Sequence, residues 1–226
     1  MDEKIVKELI DRLIDLSFAE DIGDGDHTTL SSIPADAMGK SKLLIKEEGI
    51  LAGIEIAKMV FHRFDPTMKV EVFIEDGTHV VPGDVAMIVE GKIQSLLQTE
   101  RLMLNIMQRM SGIATMTSRY VKKLEGTHTR VLDTRKTTPG MRILEKMAVK
   151  IGGGENHRIG LFDMILLKDN HVDFSGGIHN AVTRAKEYCK AKGKNLKIEL
   201  EVRNFDELQQ ALKSVYSLSY QYVNKE

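Results

Sequence analysis

The chain has almost none of the residues that tie a small fold together covalently. A single cysteine, Cys189, in 226 residues excludes an internal disulfide and any zinc site built on cysteines. It lies in a helical apolar pattern and reads as a packing residue. Neither sign of charge is in excess: the formal net charge is −1, which gives no argument for nucleic acid as a partner. Long apolar runs are also missing, and none approaches a membrane span. The opening residues, MDEKIVKELIDRL, are charged and helical rather than a signal peptide. These absences leave a soluble, cytoplasmic, enzyme-like protein as the expectation. With 42% hydrophobic and 29% charged residues the chain reads as globular, and its length allows one large domain or two modest ones.

The order of patterns predicts an α/β protein in two parts. Residues 3–20 carry Ile5, Val6, Leu9, Ile10, Leu13 and Ile14 at helical spacing. The acidic EDIGDGDHTT segment that follows lacks the distal bidentate glutamate of a calcium loop and reads as a turn. Strands are expected over 40–46, 68–75 and 85–89, with a helix over 53–64. A helix over 92–110 is expected to break at Ser111–Gly112 and to be followed by a second over 113–124. Up to this break, residues 1–110 read as an α+β sandwich domain.

From Thr129 the rhythm becomes strand then helix. Strands are expected over 129–133, 163–167 and 196–202. Helices are expected from near Pro139, over 178–192 (with Ala181, Val182, Ala185, Tyr188 and Cys189 inward), and after Asn204 as N-cap. The last is expected to bury Phe205, Leu208, Ala211, Leu212 and Val215. Three such repeats in residues 111–226 fit a partial α/β barrel or an open parallel sheet.

Basic residues gather where these strands give way to loops: Arg135 and Lys136, His157 and Arg158, and Lys168. Parallel sheets bind ligands at the carboxyl ends of their strands, so this set suits an anionic substrate. Any one of these residues alone reads better as a solvated loop end; it is the set at successive strand ends that favours function. Glu201 lies near the end of its strand, where a carboxylate can hold a divalent metal, bind sugar hydroxyls or stabilise developing positive charge; a solvent face is the competing reading. Arg101 and Asn105 share a helix face. No serine elbow accompanies His157, so a hydrolase triad is excluded. The triplet Gly152–Gly154 reads as a helix stop rather than a phosphate cradle.

Taken together, EDIGDGDHTT, KEEGILAGI, TERLMLNIMQRMSGIATMT, LDTRKTTPGMR, GGGENHRIGLFD, LLKDNH and IELEV resemble the quinolinate phosphoribosyltransferase family, also called carboxylating nicotinate-nucleotide pyrophosphorylase. The resemblance runs from near residue 18 to about 215. It implies an N-terminal sandwich domain followed by an incomplete α/β barrel. It implies transfer of phosphoribose from phosphoribosyl pyrophosphate to quinolinate with decarboxylation, giving nicotinate mononucleotide, pyrophosphate and CO2 for NAD synthesis, with Mg2+. Arg135, His157, Arg158 and Lys168 match positions that hold quinolinate. Lys136 matches one on the phosphoribosyl side, and Glu201 an acidic residue at the metal and ribose. Arg101 matches an arginine reaching the neighbouring subunit's site, so a homodimer or larger assembly is implied.

After Ser214 the resemblance stops, and VYSLSYQYVNKE carries neither the family's next acidic strand end nor its glycine-rich phosphate loops. The expectation is a C-terminally truncated form with weak phosphoribosyl transfer. The alternatives are a remnant that binds dicarboxylates or joins full-length subunits without catalysing, and a related transferase with another acid as substrate.

Overall fold

Apolar residues at helical spacing near the start form α1, Glu3–Ile22, in the computed structural model, which describes residues 2–214. The side chain of Asp2 accepts from Lys4 N at 2.8 Å and caps the helix, while Ile10 and Ile14 are buried. Gly23, at φ 57°, ends it. The acidic segment then enters a second short helix, α2 (His27–Ser32), capped by Asp26, whose Oδ1 accepts from Thr29 N at 3.1 Å. This carboxylate therefore caps a helix end.

The strands β1 (Met38–Leu44) and β2 (Gly49–Ile50) precede helix α3 (Ile54–Phe64); β3 (Lys69–Val72), β4 (His79–Val80) and β5 (Val85–Lys92) follow it. They form an antiparallel sheet of order β1-β5-β3 and an antiparallel β2-β4 pair. In β3, Val70 and Val72 are less exposed than Lys69 and Glu71, so the expected alternation holds. Ile54, Ile56, Val60, Met87 and Met110 are fully enclosed in the core beneath these elements.

Helix α4 (Ile93–Lys123) corrects the expected break at Ser111–Gly112, because it runs through both residues. Ser111 is held by tertiary hydrogen bonds, whereas a Cβ at Gly112 would meet nothing within 4 Å. Ser111 Oγ accepts from Ala52 N (3.0 Å) and donates to Ala52 O (3.1 Å). One turn on, Thr115 Oγ1 accepts from Ile50 N at 2.8 Å. A Cβ on Gly49 would stand 2.6 Å from that hydroxyl. The face read as a helix terminator is where strand backbone docks.

Helix α5 (Arg142–Ile151) packs on α4 and starts later than the expected Pro139. Gly140, at φ 79°, makes a turn there instead. The expected strand over 129–133 is reduced to one parallel bridge, Leu132 to Glu155, with no further ladder partner among the described residues. The glycine triplet ends α5, as expected: Gly152 is its C-cap and Gly153 has φ 87°.

The chain divides into two compact units between His157 and Arg158. In the second, β6 (Met164–Leu167) leads to α6 (Asp169–Ser175) and α7 (Ile178–Ala191), and β7 (Lys197–Leu200) leads to α8 (Phe205–Ser214). The two strands are parallel neighbours, with Leu167 opposite Leu200. Leu167, Val172, Ile178, Val182 and Ala211 form its core. Asn204 caps α8 as expected, accepting from Glu207 N at 2.9 Å. Phe205, Leu212 and Tyr188 are exposed, contrary to expectation. Of α8 only Ala211 is fully buried, so its seam is narrower than the apolar stripe. Val215 and the patternless tail lie outside the described residues. The mixed helix–strand composition of both units is that of the α/β class. No described helix is long and apolar enough to cross a membrane.

Gly152 tests the packing of α5 on α4. A Cβ there would lie 2.4 Å from Ala114 O and 2.8 Å from Thr117 Cβ, at an ordinary φ of −76°. Overpacking of this kind costs about 1–3 kcal/mol. Gly152→Ala should lower the urea midpoint accordingly, and an unchanged midpoint would contradict the close approach.

Candidate functional site

In the first unit the bridge at Leu132 fixes two segments side by side: Asp133 N donates to Glu155 O at 3.1 Å, and Glu155 N to Val131 O at 2.8 Å. Arg135 and Lys136 follow one segment, and His157 ends the other. Between them lies a buried ion pair of Asp133 Oδ1 with Lys146 Nζ, whose side chains are 8% and 3% exposed. Asp133 Oδ1 also accepts from His157 N (2.9 Å), and Lys146 Nζ donates to His157 O (3.1 Å). With its amide nitrogen facing both acceptors, Asn156 donates to Asp133 Oδ2 (3.2 Å) and Lys146 O (2.9 Å). The charges are satisfied by one another and by local backbone.

A second polar group holds the loop that carries the basic residues. Arg109 on α4 donates through Nη2 to Glu145 Oε1 (2.6 Å) and to Thr138 Oγ1 (2.7 Å). Thr138 N donates to Glu145 Oε2 at 3.3 Å. Arg142 Nε donates to Thr137 Oγ1 at 3.1 Å. Burial pushes the Glu145 carboxyl up, but hydrogen bonds from Arg109 and Thr138 outweigh it and hold it below its usual 4.5. Between these anchors Lys136 is exposed, and Arg135 has its Nε buried without a hydrogen-bond partner among the described residues. An unpaired buried donor is costly, and its cost falls when a ligand supplies an acceptor.

In the second unit the chain leaves Arg158, whose Nη1 donates to Met164 O at 3.3 Å. Asp163 accepts from Ile159 N and Gly160 N, both at 2.8 Å, and closes this turn. At the carboxyl ends of the neighbouring strands, Lys168 Nζ donates to Glu201 Oε1 at 2.9 Å. Backbone sets their approach, because Glu201 N donates to Leu167 O at 2.9 Å. Lys168 is also the N-cap of α6, and its N–H donates to His171 Nδ1 at 3.0 Å. The structure therefore joins Lys168 with Glu201, and separately joins His157 with the segment carrying Arg135 and Lys136. Arg101 stands exposed on α4 beside Asn105, away from both groupings in sequence.

Sequence reading missed the residues beneath the site: Lys146, Asn156, Arg109, Glu145 and Thr138. A signal was present. Glu145 and Lys146 fall among inward-facing Leu144 and Ala148, and a charge at a core-facing helical position requires a partner. No three of His, Cys, Asp or Glu among the described residues gather to hold a metal by themselves.

Two family models match the chain, both of quinolinate phosphoribosyl transferase: its N-terminal domain over residues 26–111 and its C-terminal domain over 113–218. The chloroplastic nicotinate-nucleotide pyrophosphorylase (carboxylating) of Arabidopsis thaliana is 44% identical over 201 residues, covering 88% of this chain and 57% of that protein. A probable nicotinate-nucleotide pyrophosphorylase (carboxylating) of Synechocystis is 40% identical, covering 90% and 68% respectively. The crystal structure of NadC from Streptococcus pyogenes is 36% identical, with a TM-score of 0.85 over 91% of this chain and 72% of that one. The chain belongs to the quinolinate phosphoribosyltransferase family, and it spans somewhat more than half the length of the plant relative.

The lowered Glu145 pKa sets the sign of a pH effect. A carboxylate with a folded-state value below its unfolded value contributes stability above the unfolded value and loses it as pH falls through the folded one. Glu145→Gln should therefore be less stable than the parent at pH 7, and the gap should close as pH drops below 4.5. Denaturant melts across that window measure it, and a gap independent of pH would contradict the assignment.

Proposed function

We propose that this chain carries quinolinate phosphoribosyl transfer: it joins quinolinate to the ribose of phosphoribosyl pyrophosphate, with loss of pyrophosphate and CO2. The observation that carries the reading is the Lys168–Glu201 pair at the ends of two parallel strands, in a chain of this family. Placement at the carboxyl ends supports it, because parallel sheets present ligand-binding groups there.

The roles follow from charge. Quinolinate is a dianion, and Arg135, His157, Arg158 and Lys168 supply donors for its two carboxylates. The Nε of Arg135, which has no hydrogen-bond partner among the described residues, supports a ligand acceptor at that residue. Held in this way, the ring nitrogen attacks the ribose carbon: its lone pair forms the new C–N bond, and pyrophosphate leaves with the old bonding pair. Lys136 serves the phosphoribosyl side. Glu201 stabilises the positive charge that develops on the ribose and accepts from its hydroxyls. The bond to the carboxylate beside the nitrogen then breaks; CO2 leaves, its bonding pair stays on the ring carbon, where the adjacent positive nitrogen stabilises it, and that carbon takes a proton from water.

The donor set fits Mg2+. A single carboxylate, Glu201, is what this ion accepts from protein when substrate phosphates and waters supply its other oxygens. Glu201 would hold the ion, which would supply charge neutralisation for the pyrophosphate. Arg101 is assigned to the site of a partner subunit in a homodimer or larger assembly, a role supported by its exposure on α4. We read the family domains as residues 1–110 and 111–226; the family models, meeting between 111 and 113, support that division, which differs from the compact units.

Purified protein given quinolinate, phosphoribosyl pyrophosphate and Mg2+ should release pyrophosphate and CO2 together. Release with neither product above background would overturn the reading. Lys168→Met separates binding from stability. Its pair is 42% and 24% exposed, so its loss should cost no more than about 1 kcal/mol of folding energy. Loss of a charge-assisted hydrogen bond to the dianion should weaken quinolinate binding about tenfold or more. Unchanged affinity would remove Lys168 from the site.

A further inference from the structure

We propose that Asp133 and Lys146 are positioning residues for quinolinate capture, acting through the backbone of His157. The inference rests on the functional reading above, in which His157 meets the substrate.

The pair does more than neutralise itself. Asp133 Oδ1 takes the N–H of His157, and Lys146 Nζ gives to the C=O of the same residue. Both polar groups of one peptide-bearing residue are thus gripped by opposite ends of one buried ion pair. Asp133 is also two residues before Arg135, on the segment bridged to Glu155. One carboxylate therefore sets where His157 stands relative to the segment that carries Arg135. Asn156, facing Asp133 Oδ2 and Lys146 O, fixes the remaining rotation of the carboxylate.

Stability alone is a poor account of this arrangement. Replacing a buried ion pair by neutral side chains of similar volume is often neutral or stabilising. What neutral side chains do not reproduce is the simultaneous hold on N–H and C=O. That hold matters where a ligand must be met within a fraction of an ångström. Lys146 lies on α5, which packs on α4, so the grip is referred to the core of the unit rather than to the loop itself.

The test is the double variant Asp133→Asn/Lys146→Met, which removes both charges at nearly constant volume. It should fold with a melting midpoint close to that of the parent. Its quinolinate affinity should fall by about ten- to a hundredfold, the scale of an ångström-level misplacement. A folded double variant with the parent's quinolinate affinity would overturn the proposal alone. Absence of quinolinate binding by the parent chain would overturn the functional reading and the proposal with it. Should the double variant not fold, exchange in the parent decides: a His157 amide as protected as those of α4 supports the clamp, and exchange at the free-peptide rate overturns it.

Discussion

The buried contact between Asp133 and Lys146 is the constraint on which the candidate site depends. It ties a loop to a helix and a helix to a strand bridge, using two charges that are almost wholly enclosed. Removal of one partner would leave an uncompensated charge, at a cost of about 3–5 kcal/mol. That figure is a large part of the marginal stability of a domain. The contact is thus both a point of vulnerability and the reason a loop with several basic residues keeps one arrangement. Arg109, Glu145 and Thr138 repeat the strategy one loop further on, again from the helices inward.

Set against this, the groups proposed to meet ligand are loosely committed. Lys136 is exposed, Lys168 and Glu201 are partly exposed, and Arg135 keeps a buried donor unpaired. Pairing Lys168 with Glu201 holds the ammonium at the strand ends without the full desolvation penalty of a buried charge. In the proposed reaction a dianionic ligand would compete with Glu201 for that ammonium.

Much of this was legible in the residues. The period of apolar side chains located α1, α3, α7 and the alternating strands, and the motif order identified the family. Lys168 and Glu201 were legible as charges at the ends of two strands, which the structure shows to be parallel neighbours. What was not legible is instructive. Ser111 and Gly112 have the local chemistry of a helix end, yet α4 continues through both, and tertiary hydrogen bonds tie Ser111 to Ala52. The stretch from Thr129 to Asp133 has strand-like composition but only one bridging partner. Pro139 suits a first helical turn, but the turn at Gly140 delays the start of α5 to Arg142. Lys146 and Glu145 were marked only as charges at core-facing positions, because a linear pattern registers a charge on a helix without naming what it meets across space.

The central claim is that the basic residues recognise two carboxylates, not one. A thermal-shift titration with quinolinate, beside nicotinate as the monoacid, addresses it most directly. A ligand that binds only the folded chain stabilises it by about 2.7 kcal/mol at a hundred times its dissociation constant. The account predicts a rise in melting temperature with quinolinate that nicotinate does not reproduce at the same concentration. Equal shifts with both acids, or none with either, would contradict it.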